Sequence, residues 1–235
     1  MTSQPEERVL AEQRGPVHIL TLHRPDKLNA ADLELQRRLL ERWQALQHDD
    51  GTRVAILTGA GRGFCAGGDV EILRQFDSNE GLRAELGHIH RETLRAMLTL
   101  PMPIIAAVHG PAVGFGAELA ALCDFVVMGS DAYLSDPHVQ QGLPPSPGCQ
   151  LVWPHLTSRA VAKELLMTGR RVHAHDALRL GLVNRVAPPG EELAVALELA
   201  TELSALPLSS VVAAKAAFNG PLLEEVERLE EIVTW

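Results

Sequence analysis

Two stretches of this 235-residue chain repeat one plan that few folds allow. Val54-Ala55-Ile56-Leu57-Thr58 and Ile104-Ile105-Ala106-Ala107-Val108 are short runs with no apolar–polar alternation. A run of that kind suits a strand covered on both faces, as in a parallel sheet held between helical layers. Each is followed by a glycine-rich turn and then by a helical pattern, and residues 125–128 form a third such run. The three are expected to be neighbouring strands of one sheet. With 46% apolar but only 4% aromatic residues, the chain supplies the small aliphatic side chains that such packing needs.

The rest of the chain fills in around these runs. Residues 17–22 read as a strand. Residues 32–47 read as an amphipathic helix with Leu33, Leu35, Leu39, Leu40, Trp43 and Leu46 on its apolar face. Further helices are expected over 70–76, over 79–100 up to Pro101 and Pro103, and near 116–123. Ser158 can cap a helix through Met167, with Gly169 as its stop. Residues 182–186 read as a last strand. From Glu191 onward the pattern is helical, with breaks at Pro207 and Gly220-Pro221. No linker or fixed-period repeat divides the chain, so it reads as an α/β fold with a helical C-terminal region over 191–235.

Charge and composition narrow the partners. A net charge of −9 argues against nucleic acid and anionic membrane surfaces. The most apolar stretch, 100–129, is broken by Pro101, Pro103, Pro111, Glu118 and Asp124, unlike a membrane span. The segment from Met1 to Arg8 is polar and lacks the apolar run of a signal peptide. Cys65, Cys123 and Cys149 are too few and scattered for a disulfide framework and fit a reducing cytoplasm.

The chemistry concentrates in the two glycine-rich loops. In the first, Gly59 to Asp69, Gly67 and Gly68 let backbone approach a ligand closely, and N–H groups at the following helix start suit a negative oxygen. It carries neither a Walker A lysine nor a dinucleotide-binding glycine pattern. The second runs from His109 to Glu118. Two such loops facing each other can offer one N–H each to a single oxygen, an oxyanion hole. Glu118 sits among Ala117, Leu119, Ala120, Ala121 and Leu122, where a carboxylate is costly unless paired or used. Its plainer role is a helix N-terminal carboxylate satisfied by backbone. His88-x-His90 and His173-x-His175 lack helical i, i+4 ligand spacing and accompanying carboxylates, so they read as ordinary histidines and no metal site is expected.

The segments GRGFCAGGD and AAVHGPAVGFGAELAALCD resemble the two signature segments of the crotonase (enoyl-CoA hydratase/isomerase) superfamily. RPDKLNA, TGRRVHAHDALRLGLVNRV and AAKAAFN match the same family in order and spacing, so the resemblance runs from about Val17 to Asn219. It implies a spiral of ββα units over residues 1–190 and an oligomerising helical region over 191–235, shorter than usual for the family. It also implies a trimer or dimer of trimers and an acyl-CoA substrate, with coenzyme A as part of that substrate and no separate cofactor. The thioester oxygen would accept the backbone N–H groups of Ala66 and Phe115. Phe115 replaces a common glycine, and its bulk narrows the pocket. Arg24, Lys27 and Leu28, with Gly67 and Asp69, would lie along the CoA.

Hydratases of this family use two glutamates around one water. The first falls on Glu118; the second position is His138, which also transfers protons near neutral pH, with Asp136 two residues earlier as the candidate to orient it. Ser146 stands where a hydratase has a glycine whose N–H holds the water, and Ser146 keeps a backbone N–H. The leading expectation is hydration of a 2-enoyl-CoA. Double-bond isomerisation, decarboxylation of a malonyl-type acyl-CoA and a non-catalytic acyl-CoA-binding scaffold are the alternatives. Glu118 separates the catalytic readings from the scaffold.

Overall fold

In the computed structural model the strands are, in chain order, β1 (Val9–Arg14), β2 (Val17–Leu22), β3 (Val54–Gly59), β4 (Ile104–Val108), β5 (Pro111–Val113), β6 (Phe125–Gly129), β7 (Tyr133–Ser135), β8 (Val172–His173) and β9 (Arg185–Ala187). The helices are α1 (Leu33–Leu46), α2 (Val70–Phe76), α3 (Glu80–Thr99), α4 (Phe115–Leu122), α5 (Pro147–Leu156), α6 (Arg159–Thr168), α7 (Ala174–Leu180), α8 (Glu192–Ser204) and α9 (Leu208–Ile232). The structure describes residues 7–76 and 78–232, with backbone alone at 73, 76 and 228–232. Most of the polar N-terminal segment lies outside the described part.

The three unalternated runs are adjacent. The main sheet has the order β1-β2-β3-β4-β6-β9, and β3, β4 and β6 pair in parallel, with Ile56 opposite Ile105 and Ile105 opposite Phe125. Both faces are covered, which is why the runs do not alternate. Leu57, Ala106 and Met128 join α1, α3 and α4 in one core. Ile56, Ile105 and Val127 meet Ala196, Leu199 and Ala200 of α8 on the other. The helical region beyond residue 190 therefore supplies one layer of the core.

β4 and β6 each run on into a short strand, β5 and β7, before the chain turns to helix. These short strands pair in a second sheet, β5-β7-β8, and a bridge between Cys65 and Ala112 brings the first glycine loop alongside it. The fold is thus a mixed α/β spiral of strand–strand–helix units, as expected.

The expected cap holds: the Ser158 hydroxyl accepts the Val161 N–H. The Asp32 and Asn79 side chains also accept the Leu35 and Leu82 N–H groups. β1, α5, α7 and the short strands β5, β7 and β8 add to the elements expected; β1 carries no apolar run, because only Val9 of its six residues is buried and the rest lie on an exposed edge. Two expectations are corrected. The last strand sits at 185–187 rather than 182–186. Gly220-Pro221 does not break α9, which runs through it. Lys215 donates to the Met102 carbonyl at 3.0 Å, Asn219 donates to that of Leu98 at 2.9 Å, and Leu222 and Val226 are buried, so tertiary anchors on both sides hold the helix across the proline. Among the described residues no single helix is long and apolar enough to cross a membrane.

Candidate active site

The two glycine loops lie side by side and are joined backbone to backbone. The Phe64 N–H donates to the His109 carbonyl at 2.8 Å, the Cys65 N–H to that of Pro111 at 3.1 Å, and the Val113 N–H to that of Cys65 at 2.9 Å. The RPDKLNA turn docks onto the first loop through Asn29, a buried residue in the left-handed region at φ 56°. Its amide nitrogen donates to the carbonyls of Ala60 at 2.9 Å and Gly63 at 2.8 Å, and its oxygen accepts the Arg24 N–H at 2.8 Å.

The two expected oxyanion donors stand differently. Phe115 opens α4, where first-turn N–H groups have no acceptor within the helix, and among the described residues its N–H makes no hydrogen bond. The Ala66 N–H donates to the Leu28 carbonyl at 2.9 Å. Cys65 beside it is buried, and that burial pushes its thiol up to about 12, so it packs as a small apolar residue.

Glu118 lies one turn into α4 and is 1% exposed. Its Oε2 accepts the Gly148 N–H at 3.0 Å, and its Oε1 is 2.8 Å from His90 Nε2, an ion-pair contact short of a well-aligned hydrogen bond. A Cβ at position 148 would stand 2.1 Å from Glu118 Cγ, so only glycine lets the carboxylate reach that backbone. Burial alone would lower the pKa of His90, but the Glu118 carboxylate outweighs it and holds the ring above its ordinary value.

His138 forms the second pair. Its Nδ1 bonds the fully buried Asp136 through Oδ1, and Asp136 Oδ2 accepts the Ser146 N–H at 2.8 Å. Burial alone would raise the Asp136 pKa, but the bonds from His138 and Ser146 outweigh it and keep the carboxyl below its usual range. The imidazole lies against Gly114, whose positive φ of 51° starts α4; a Cβ there would meet His138 Cε1 at 3.0 Å and Nε2 at 3.7 Å. With Nδ1 bonded to Asp136, Nε2 is the ring nitrogen that this carboxylate leaves unengaged.

Both carboxylates therefore rest on one helix start. Ser146 is the N-cap of α5 and Gly148 its second residue, with Pro147, which has no N–H, between them. No acidic residue occupies the first turn of α5, so Glu118 and Asp136 supply the negative charge that a helix N-terminus favours. The Ser146 N–H, expected to be available for a water, is held by Asp136.

The residues expected along the CoA divide. Lys27 and its neighbour Asp26 are exposed. Leu28 sits in the left-handed region at φ 50°. Arg24 does not face solvent: its guanidinium bonds Asp69 at 2.8 Å and the Ala30 carbonyl, and lies 3.2 Å from Asp32. Asp69 also accepts the Glu71 N–H, and that bond, with Arg24, keeps its carboxyl below the usual range. Gly67, at φ 102°, brings its backbone against the Val113 carbonyl between the two loops. Three functional groups were missed in the sequence: His90, Asn29 and Gly148. The signal for His90 was present, because it shares the apolar face of α3 with Leu86, Thr93, Leu94 and Met97.

A free backbone donor beside a buried carboxylate, on paired strand-to-helix loops, defines a site for holding an oxygen anion next to a proton acceptor. The chain belongs to the enoyl-CoA hydratase/isomerase family, whose sequence profile it matches over residues 12–232. It is 32% identical over 212 residues to a short-chain-enoyl-CoA hydratase from Clostridium acetobutylicum, covering 90% of this chain and 80% of that one. It is 30% identical over 227 residues to a crotonyl-CoA hydratase from Syntrophomonas wolfei, covering 96% and 86%. The crystal structure of an enoyl-CoA hydratase/isomerase from Mycobacterium paratuberculosis superposes with a TM-score of 0.88 at 40% identity, covering 93% of this chain and 87% of that one.

Proposed function

We propose that the protein adds water across the double bond of a 2-enoyl-CoA. The observation that carries this reading is Glu118, 1% exposed, one helical turn from the unbonded Phe115 N–H, with the Asp136-bound His138 ring against Gly114 at the start of the same helix. The thioester oxygen takes the Phe115 N–H, and the Ala66 N–H is shared between it and the Leu28 carbonyl. Glu118 removes a proton from a water whose oxygen bonds to C3. The C2=C3 electrons move toward the thioester, and the charge that develops on its oxygen is held by the backbone donors. His138, held by Asp136, gives a proton to C2, and the thioester carbonyl is restored.

Lys27, exposed at the docked turn, is the cation left for the CoA phosphates once Asp69 and Asp32 neutralise Arg24. A homotrimer or dimer of trimers goes with this activity. Phe218, 81% exposed on α9, supports it as a side chain for a neighbouring subunit to cover. Sedimentation as a monomer at micromolar concentration would remove that part.

The test is hydration of crotonyl-CoA, followed by loss of enoyl-thioester absorbance, with 3-enoyl- and malonyl-CoA as competing substrates. Glu118→Gln keeps shape and removes the proton acceptor, so turnover should fall by about 10²–10⁴ while acyl-CoA binding survives. His138→Ala should reduce hydration more than isomerisation. Full activity in Glu118→Gln overturns the reading; a silent His138→Ala moves isomerisation ahead.

A further inference from the structure

In the hydration proposed above His138 only gives a proton, yet its surroundings also prepare it to take one. Asp136 is fully buried and bonds the ring at Nδ1, while its second oxygen is fixed by the Ser146 N–H. A carboxylate held in this way sets the neutral ring in the tautomer with its proton on Nδ1, which leaves the Nε2 lone pair free to act as a base. Among the described residues Nε2 has no hydrogen-bond partner, and the side chain is 27% exposed, so water can reach the ring. The turn that carries the pair is tied to the oxyanion loop. The Gly114 N–H donates at 2.8 Å to the carbonyl of Ser135, the residue before Asp136. The imidazole lies against Gly114, with Cε1 3.0 Å and Nε2 3.7 Å from where a Cβ would stand. Gly114 directly precedes the residue with the unbonded N–H, Phe115, whereas Glu118 lies one helical turn further on.

We propose that the protein is also an acyl-CoA thioesterase, in which His138, oriented by Asp136, is the general base that activates water against the thioester carbonyl. The inference rests on the acyl-CoA site of the hydratase reading but not on its double-bond chemistry. With the thioester oxygen on the Phe115 N–H, the carbonyl carbon lies at the His138 end of that turn and C3 at the Glu118 end. The substrates are acyl-CoAs without a C2=C3 double bond, which hydration cannot use. Water gives a proton to Nε2 as its oxygen bonds to the carbonyl carbon. The C=O electron pair moves onto the oxygen, which the Phe115 N–H holds. The pair then returns, the C–S bond breaks with its electrons going to sulfur, and the imidazolium gives its proton to the leaving thiolate. One water and one thioester become a carboxylic acid and coenzyme A, His138 is neutral again, and no other reactant is consumed.

The test is release of free thiol from butyryl-CoA, read with a chromogenic disulfide reagent. Cys65, Cys123 and Cys149 are buried, so the protein's own thiols add little to the signal. Wild type should release coenzyme A at least a hundredfold faster than buffer. His138→Ala and His138→Gln should each lower kcat about 10²–10³-fold with KM nearly unchanged, and Asp136→Asn about 10- to 100-fold. In Glu118→Gln the ratio of butyryl-CoA hydrolysis to crotonyl-CoA hydration should rise at least tenfold, because only hydration loses its base. A single turnover in heavy-oxygen water should label the butyrate and leave the protein unlabelled. Release at the buffer rate by wild type, full release by both His138 variants, a ratio that falls in Glu118→Gln, or label in the protein overturns the inference. The two readings fail separately: hydration without butyryl-CoA hydrolysis removes the thioesterase alone, and hydrolysis without hydration removes the hydratase alone.

Discussion

The site contains two carboxylate–histidine pairs built by different routes. Asp136 and His138 are two residues apart in one turn, so their contact is nearly local. Glu118 and His90 come from α4 and α3 and meet only because those helices pack. The chemistry converges all the same: each carboxylate gives one oxygen to an imidazole and the other to a backbone N–H at the start of α5. An acid–base group can thus be set by a turn or by tertiary packing, and only the first is visible along the chain.

The tertiary pair should break most readily at its backbone support. In Gly148→Ala the new methyl would collide with Glu118 Cγ at 2.1 Å and Cδ at 2.6 Å, so the carboxylate must leave both the Gly148 N–H and its place beside His90. Turnover should fall by about 10²–10³, approaching Glu118→Gln, while the circular dichroism spectrum stays that of the native fold. Near-normal kcat in a folded Gly148→Ala protein would mean that the position of Glu118 does not matter, which contradicts its proposed role as base.

The local pair should break more gently. Asp136→Asn keeps an oxygen for the Ser146 N–H but turns an amide N–H toward His138 Nδ1, which then acts as acceptor. The ring loses the negative charge beside it. Hydration should drop about 10- to 100-fold. Unchanged turnover in Asp136→Asn would show that Asp136 does not prepare His138 for proton transfer.

The same distinction governs what was legible in the sequence. The sheet could be read because burial on both faces writes itself into a run of five residues, as in Ile104–Val108. The cap at Ser158 could be read because a cap is a local bond. Glu118 stood out because a carboxylate among alanines and leucines is unusual. His90 showed only as a histidine on an apolar helix face, since nothing in its own helix points to the carboxylate on another. Arg24 read as an available cation, although Asp69 neutralises it from a position far along the chain. Asn29 read as a turn residue, yet its side chain joins the turn to the first glycine loop. The Ser146 N–H read as free because its acceptor, Asp136, is brought back by the β7–α5 connection.

The smallest expected effects lie in stability, and there the two pairs act at opposite ends of the pH scale. The Asp136 pKa is depressed in the folded state, so its contribution is present above the unfolded value of 3.8 and is lost as pH falls through the lower folded value. The His90 pKa is raised, so its contribution is complete below the unfolded value of 6.5 and is lost as pH rises through the higher folded value. A charge-assisted bond of this kind contributes about 1–2 kcal/mol, or roughly 2–8 °C in Tm for a chain of this size. Thermal unfolding from acid to mildly alkaline pH should therefore show the gap between wild type and His90→Gln widest in mild acid and closing above neutrality. The gap between wild type and Asp136→Asn should hold through neutrality and close only in strong acid. Two gaps that close at the same end would mean that the pairs titrate as one network rather than two.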